Sequence, residues 1–134
     1  MLWSSKNSGK KGQVIESLIG AGTAIDGNLV FKGGLRIDGA VRGSIFSAAG
    51  EPSMLVISQQ ARVEGEIRAA HIVINGAIVG PVHSTELIEL QPNAKITGDV
   101  FYAALEMHQG AIVDGRLVHE LNEKSPLKLV SHPT

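Results

Sequence analysis

Apolar and polar residues alternate along most of the chain, and the alternation is centred on a recurring glycine. The recurring unit is apolar-x-Gly-x-apolar, and its six copies occupy residues 25–29, 41–45, 63–67, 78–82, 96–100 and 113–117. Successive central glycines are 16, 22, 15, 18 and 17 residues apart, which indicates a repeat of about 17 residues. The longest interval contains Gly50-Glu51-Pro52, a turn cluster that we interpret as an inserted loop.

A second alternating element precedes every copy after the first. Its paired apolar residues are Leu35/Ile37, Leu55/Ile57, Ile72/Ile74, Ile88/Leu90 and Leu105/Met107. A short polar turn separates the two elements, and the alanine that follows each turn is predicted to fill a tight inner corner: Ala40, Ala61, Ala77, Ala94 and Ala111. Alternation with a period of two predicts short strands whose side chains point by turns into a core and into solvent.

A repeat of this length is too short for a four-stranded propeller blade or a helical repeat, and it fits one coil of a β-solenoid. Each coil rises by about 4.8 Å, so its strands pair in parallel with the equivalent strands above and below. We therefore predict an all-β parallel β-helix of about six coils. Its inward residues form aliphatic ladders that include Leu35, Ile37, Val41, Ile45, Leu55, Ile57, Val63 and Ile67. Its outward residues include Arg36, Asp38, Arg42, Ser44, Glu64, Glu66, Asp99 and Asp114.

Composition agrees with a narrow aliphatic tube, because aromatic residues make up only 4% of the 134 residues. The absence of cysteine excludes a disulfide scaffold, a Cys-ligated zinc site and a thiol nucleophile. The net charge is −1, so no overall positive field attracts nucleic acid, and nucleic acid is not an expected partner. No cofactor is predicted.

The two ends of the chain differ from its body. We predict a disordered basic tail over residues 1–17, a solenoid core over 18–119 and a second disordered tail over 120–134. Residues 14–119 carry eleven acidic and seven basic residues, whereas residues 1–13 carry three lysines and no acid. The first tail is predicted to bind membranes through an apolar tip and the lysines that follow: Met1, Leu2, Trp3, Lys6, Lys10 and Lys11.

The sequence pattern also bears on location. The apolar stretches are only a few residues long, far short of the roughly 20 that span a bilayer. The polar residues that follow the initial apolar triplet do not match a secretory signal. A cytoplasmic location with peripheral membrane contact is therefore expected.

The ends of the predicted solenoid lack a capping pattern. An open coil exposes unpaired backbone groups, and terminal repeats normally differ from the central ones to cover them. Here the first and last copies resemble the others, which favours end-to-end stacking into a filament without a nucleotide switch. The predicted polymerisation interface consists of apolar residues in the terminal coils: Ile25, Leu29, Phe31, Leu105, Met107, Val113 and Leu117.

The runs over residues 19–29 and 34–45 resemble the opening of a bactofilin, and the later copies continue the resemblance to about residue 118. The block Leu35-Arg36-Ile37-Asp38-Gly39 is its most specific part. The resemblance implies a bacterial cytoskeletal protein with a right-handed, three-sided β-helix and nonpolar, nucleotide-independent polymers. It also implies attachment to the inner face of the membrane and scaffolding of cell-wall or morphogenetic proteins that support cell shape. Bactofilins often have phenylalanine in the last coil where this chain has Val113.

An enzyme is the first alternative. A left-handed β-helix acyltransferase would need an aliphatic residue at every sixth position, and the inward spacings of 2, 4 and 4 and of 2, 6 and 4 do not sustain that pattern. Its catalytic histidine would have to be one of His71, His83, His108 and His119. The carboxylates at 64 and 66 lack a visible acid or base partner. The candidate metal ligands at 106 and 108 number two, fewer than zinc requires. No enzymatic activity is predicted.

A monomeric binding module is the second alternative. The body has neither an aligned threonine ladder nor the Gly-Gly-x-Gly-x-Asp repeats of calcium-binding solenoids. The outward residues Val56, Val73 and Val79, together with Pro81, are predicted to form an apolar cluster on neighbouring coils. Such a cluster is a candidate lateral contact or partner-binding patch.

Overall fold

The computed structural model describes residues 14–48 and 52–120, which contain fifteen β-strands and no helix. The strands are β1 (Ile15–Ile19), β2 (Ala24–Asp26), β3 (Leu29–Phe31), β4 (Gly33–Ile37), β5 (Ala40–Arg42), β6 (Ile45–Ser47), β7 (Ser53–Ile57), β8 (Arg62–Glu64), β9 (Ile67–Ile74), β10 (Ala77–Val79), β11 (Val82–Leu90), β12 (Lys95–Thr97), β13 (Val100–Met107), β14 (Ile112–Asp114) and β15 (Leu117–His119). Because no described helix exists, none of these residues forms a helix that could cross a membrane.

All strand pairs are parallel, and they define three faces of a solenoid. Face one contains β1, β4, β7 and the second halves of β9, β11 and β13. Face two contains β2, β5, β8, β10, β12 and β14. Face three contains β3, β6, the first halves of β9, β11 and β13, and β15.

The chain passes around these faces six times, which confirms the predicted parallel β-solenoid of about six coils. At about 4.8 Å per coil, the rod is roughly 29 Å long. From the third coil onward, face three of one coil runs into face one of the next as a single bent strand. The bend is marked by a register shift between Ser84 and Leu87.

Four inward ladders fill the tube. They are Leu35-Leu55-Ile72-Ile88-Leu105, Ile19-Ile37-Ile57-Ile74-Leu90-Met107, Ile25-Val41-Val63-Ile78-Ile96-Val113 and Leu29-Ile45-Ile67-Val82-Val100-Leu117. Members in the four central coils are at most 4% exposed, so the predicted inward set is confirmed. Burial of one such aliphatic side chain contributes about 1.5–3 kcal/mol, and the ladders therefore supply most of the driving force for folding.

The central glycines form a ladder of their own at the corner between faces two and three. Five of them, at positions 27, 43, 65, 80 and 98, have φ between 140° and 153°, a conformation that other residues rarely adopt. From the second coil onward, a Cβ at each central glycine would lie closer than 3.0 Å to the carbonyl group of the glycine one coil earlier. The glycine of the repeat is therefore required both by backbone conformation and by contact between coils.

The corner between faces one and two is only partly as predicted. Ala61 and Ala94 are buried there, and Ala111 packs against the core. Ala40 and Ala77 instead begin strands and are half-buried, because their turns contain only two residues. In these coils the preceding glycine takes the corner, where a Cβ would collide with backbone carbonyl oxygens of the previous coil.

Two further differences concern the limits of the core and the valine cluster. Strand β1 begins at Ile15, three residues before the predicted start of the core. Val56 and Val73 pair on face one, whereas Val79 lies on face two beside Glu64 and Thr97. The prediction of one cluster that joins all three valines is therefore wrong, because successive apolar residues belong to different faces.

Candidate polymerisation interface

The N-terminal end of the rod is formed by β1, β2 and β3. Each of these strands has one hydrogen-bonded neighbour among the described residues, which leaves its other edge unpaired. Three inward ladders end here at Ile19, Ile25 and Leu29, which are only partly buried, although their partners in the next coil are completely buried. The three apolar ladders therefore stop at this end with their last side chains only partly covered.

The C-terminal end has the same construction. It is formed by the second half of β13 together with β14 and β15, which pair only with the fifth coil among the described strands. The ladders end at Leu105, Met107, Val113 and Leu117, and the exposed fractions of Met107 and Leu117 are both 43%. Ile112 adds a further side chain that is 52% exposed.

The structure thus places six of the seven predicted interface residues at unfinished ladder ends. Phe31 differs, because its ring in the first coil is only 9% exposed. Ile19 and Ile112 also lie in the terminal coils, and the sequence pattern missed them. Ile19 lies one coil before Ile37, but Ser17 interrupts the alternation that would have revealed it.

The outer surface carries local ion pairs. Three of the eight pairs among the described residues join an arginine and an acid two residues apart on one coil, as in Arg36–Asp38 at 2.9 Å and Arg62–Glu64 at 2.9 Å. A hydrogen bond from Ser58 and the adjacent Arg36 together hold the pKa of Asp38 below its usual value. These exposed pairs stabilise the fold weakly.

The ion pair between Arg116 and Asp99 joins the last two coils. The Arg116 backbone N–H donates to Asp99 Oδ1 at 2.9 Å, and its guanidinium Nη2 donates to Asp99 Oδ2 at 3.1 Å. The backbone hydrogen bond is the main reason why the pKa of Asp99 is lowered. This contact fastens the last coil to the fifth coil.

A second charged group lies on face three. Glu66 Oε2 accepts a hydrogen bond from Arg68 Nε at 2.7 Å and lies 3.4 Å from His83 Nε2. The His83 ring stacks on Phe101 with a centroid distance of 4.4 Å and an interplanar angle of 4°. Burial is the main reason why the pKa of His83 is lowered, and the positive charge of Arg68 lowers it further. The negative charges of Glu66 and Glu120 oppose this shift.

The lowered pKa of His83 predicts a pH-dependent stability. Below the ordinary histidine value of 6.5, the unfolded chain binds the proton more readily than the folded chain, so the free energy of unfolding falls as the pH decreases. We expect a smaller decline in the His83→Gln variant, measured by urea titration at a series of pH values. An equal decline in the variant and in the original protein would contradict the assignment.

The remaining histidines and carboxylates occupy separate structural positions. His71 has a buried Nε2 with no hydrogen-bond partner, and His119 Nε2 lies 3.0 Å from the Ala103 carbonyl oxygen. The carboxylates that flank Gly65 each pair with an arginine on the same coil. Among the predicted catalytic candidates, the structure brings Glu66 within 3.4 Å of His83, where Glu66 also pairs with Arg68. Glu64 and His119 make local structural contacts instead.

The sequence-based metal candidate gains a third side chain. Glu89 from the fifth coil joins Glu106 and His108, and one ligand atom from each lies within 4.8 Å of the other two. His108 Nε2 lies 3.2 Å from Glu89 Oε2 and 3.3 Å from Glu106 Oε2. The expected count of two ligands is therefore corrected to three, because parallel stacking aligns residues about 17 positions apart. In this structure the three groups pair with one another on an exposed surface.

The predicted membrane-binding residues lie outside the described part of the chain. This applies to all six of them: Met1, Leu2, Trp3, Lys6, Lys10 and Lys11. The inserted loop is described only from Pro52 onward on its C-terminal side.

Comparison with known proteins agrees with the β-solenoid fold. Residues 17–118 match the family model for bactofilins, described as polymer-forming cytoskeletal proteins. The chain is 24% identical over 108 residues to Bactofilin BacO of Myxococcus xanthus, a match that covers 81% of this chain and 82% of that protein. It also resembles the Thermus thermophilus bactofilin solved by cryo-EM in double helical filaments, with a TM-score of 0.70 and 32% identity. That match covers 78% of this chain and 100% of the other. A solenoid whose described terminal coils end in partly exposed apolar ladders, matched over most of the chain by this family model, belongs to the bactofilin family of polymer-forming cytoskeletal proteins.

Proposed function

We propose that this protein polymerises without nucleotide through both ends of its rod into nonpolar filaments on the inner face of the bacterial membrane. There it scaffolds cell-wall or morphogenetic proteins that support cell shape. The observation that carries the proposal is the pair of unfinished ladder ends, where apolar side chains and strand edges are exposed together. Membership of a structural cytoskeletal family supports a scaffold over an enzyme.

The chemistry of the two ends favours stacking. Docking a second rod on an end covers aliphatic side chains, at a gain of about 25 cal/mol per Å² of apolar surface removed from water. The unpaired edges of the terminal strands offer hydrogen-bond donors and acceptors to the incoming coil. An end that combines both features is a template for another chain.

Nonpolar growth requires contacts between like ends. A contact between two N-terminal ends is related by a two-fold axis, as is a contact between two C-terminal ends, and alternation of the two builds an open filament. Such a filament has no overall direction. This arrangement rests on the family resemblance, and the single-end variants described in the Discussion distinguish it from head-to-tail growth.

The direct test of assembly is negative-stain electron microscopy of the purified protein in buffer without nucleotide. We expect filaments whose abundance and length do not change when ATP or GTP is added. We also expect paired strands, since the related Thermus protein was solved in double helical filaments. A preparation that stays monomeric at all concentrations would contradict the proposal.

Membrane attachment is proposed for the N-terminal residues. The tip of Met1, Leu2 and Trp3 can insert at the interface, while three lysines approach anionic headgroups at about 1 kcal/mol each. One such tail binds weakly and reversibly. A filament presents many tails on one body, which raises the overall avidity by roughly 10²-fold or more.

Sedimentation with anionic liposomes tests this attachment. The intact polymer is expected to pellet with the vesicles, because many tails bind together. An assembly-deficient variant should pellet weakly, and a variant that lacks residues 1–11 should remain in the supernatant. The polymer without liposomes, spun at the same speed, is the control. Equal pelleting of truncated and intact filaments would rule out the tail as the anchor.

A further inference from the structure

One outward column of side chains on face three is unusually apolar. It takes one residue from each coil, in hydrogen-bonded register, and we call it the outer stripe: Val30, Phe46, Arg68, His83, Phe101 and Val118. It contains two of the three phenylalanines in the chain, both directed away from the core. The corresponding outward column on face two is mainly polar: Asp26, Arg42, Glu64, Val79, Thr97 and Asp114.

The outer stripe is accessible and continuous along the rod. Val30 is 73% exposed, and both phenylalanines and Val118 are partly exposed. Five steps of about 4.8 Å give the stripe a length of roughly 24 Å, nearly that of the rod. Each rod in a filament would therefore carry one such stripe, apolar toward both ends and with Arg68 and His83 in its middle.

The order of residues in the outer stripe is symmetric about its middle. From either end it runs valine, phenylalanine, cation-forming residue, cation-forming residue, phenylalanine, valine. A two-fold axis between the third and fourth coils would place Val30 opposite Val118 of a second copy and Phe46 opposite its Phe101. A surface that matches itself in this way is what an isologous contact requires.

We propose that the outer stripe is the lateral contact that pairs two filaments, with the second copy bound in antiparallel orientation on face three. This proposal rests on the proposed function, because it names the surface by which the polymer acquires its second strand. The occupant is another copy of this chain. Contact of valine with valine and of phenylalanine with phenylalanine supplies the apolar burial.

Electrostatics select the antiparallel orientation. A parallel pair would oppose each Arg68 with the Arg68 of the second copy, and like charges in a partly dry contact repel. The antiparallel pair opposes Arg68 with His83, so that no two guanidinium groups face each other across the contact. Burial lowers the pKa of His83, which favours the neutral ring at neutral pH. Glu66, 2.7 Å from Arg68 Nε, supplies a compensating negative charge beside each contact.

The size of the outer stripe explains why pairing should depend on polymerisation. A strip roughly 24 Å long and about 10 Å wide offers about 240 Å² per copy. A stable dimer usually needs about 800 Å² per partner. Isolated rods should therefore not pair laterally, whereas two filaments combine many small contacts.

Site-specific crosslinking tests the orientation, and the natural absence of cysteine removes the background. Phe46→Cys and Phe101→Cys proteins, one of them enlarged by a tag, are polymerised separately and as a mixture and then treated with a short bis-maleimide. The crosslinker is needed because packed sheets lie about 10 Å apart, beyond the reach of a disulfide. We expect crosslinked pairs of unlike size in the mixture and at least tenfold fewer in either protein alone. Strong crosslinking of Phe46→Cys with itself would indicate parallel pairing and overturn the proposal. Filaments without any crosslinks would overturn it as well.

A second test replaces the two phenylalanines with oppositely charged residues and needs no cysteine substitution. Phe46→Lys alone should lose paired filaments and leave single ones, and Phe101→Glu alone should do the same. The double variant should recover pairing, because each lysine then faces a glutamate of the second copy. Circular dichroism checks that the β-solenoid is retained. Single filaments in the double variant would contradict the outer stripe as the lateral contact, although end-to-end polymerisation would still stand. If the unmodified protein forms no filaments at all, the proposed function itself is contradicted.

Discussion

Replacement of Val113 by arginine is expected to stop filament growth at the C-terminal end of the rod. Val113 closes the ladder that begins at Ile25, and its side chain packs against the core on one side only. An arginine there can extend out of the end without disrupting the coils, but in an end-to-end contact it would be a buried, unpaired charge. Such a charge costs about 3–5 kcal/mol, which weakens the contact by roughly 10²-fold to 10³-fold or more.

The size of the remaining particles reports the polarity of the polymer. If like ends meet, Val113→Arg should leave dimers joined through their N-terminal ends, and Ile25→Arg should leave dimers joined through their C-terminal ends. The double variant should be monomeric. In head-to-tail growth, by contrast, each single variant would already be monomeric.

Light scattering coupled to size exclusion measures these masses, and circular dichroism verifies folding. Val79→Arg is the matched control, because Val79 lies outward on a central coil of the same face and is 38% exposed. This control should form normal filaments. Filaments of unchanged length in Val113→Arg would place the contact elsewhere.

Replacement of Gly65 by alanine is expected to destabilise the solenoid strongly. Gly65 has φ of 152°, and a Cβ would collide with the carbonyl group of Gly43 in the previous coil. Backbone strain of this kind costs about 1–3 kcal/mol, and displacement of a neighbouring coil adds to it. We expect a loss of at least about 3 kcal/mol in the free energy of unfolding, a large fraction of the stability of a small domain.

Denaturant unfolding of an assembly-deficient background measures this loss without interference from polymerisation. Gly22→Ala is the matched control, since Gly22 is exposed and a Cβ there would meet nothing within 4 Å. The control should change stability by less than about 1 kcal/mol. Similar stability of Gly65→Ala and Gly22→Ala would show that the coils separate easily and that the glycine ladder is not required.

Only some of the residues at the ends of the rod can be assigned to the candidate interface from the sequence. Leu105, Met107 and Val113 could be placed in a terminal coil because the repeat is regular up to residue 117. Ile19 could not, because Ser17 and the outward Leu18 disturb the alternation that marks an inward strand. The burial of Phe31 also could not be deduced, because Phe31 is as apolar as its neighbours and yet is nearly covered.

The faces show where the pattern stops being informative. Alternation with a period of two residues separates inward from outward positions, but it does not show on which face of the solenoid an outward residue lies. The pattern therefore groups Val79 with Val56 and Val73, although Val79 lies on a different face. The third potential ligand beside Glu106 and His108 does not follow from the pattern for the related reason that Glu89 is their neighbour only across coils.

The sequence by itself determined the repeat, the number of coils, the inward ladders and the likeness of the terminal repeats to the central ones, because each of these follows from the alternation and spacing of local residues. Only the tertiary structure decided which residues become neighbours. Coil lengths between central glycines vary from 15 to 22 residues, so the register between coils depends on turn length and on the inserted loop. The outer stripe, the glycine contacts between coils and the unfinished ladder ends all arise from parallel stacking, which brings together residues that a single coil of sequence never places side by side.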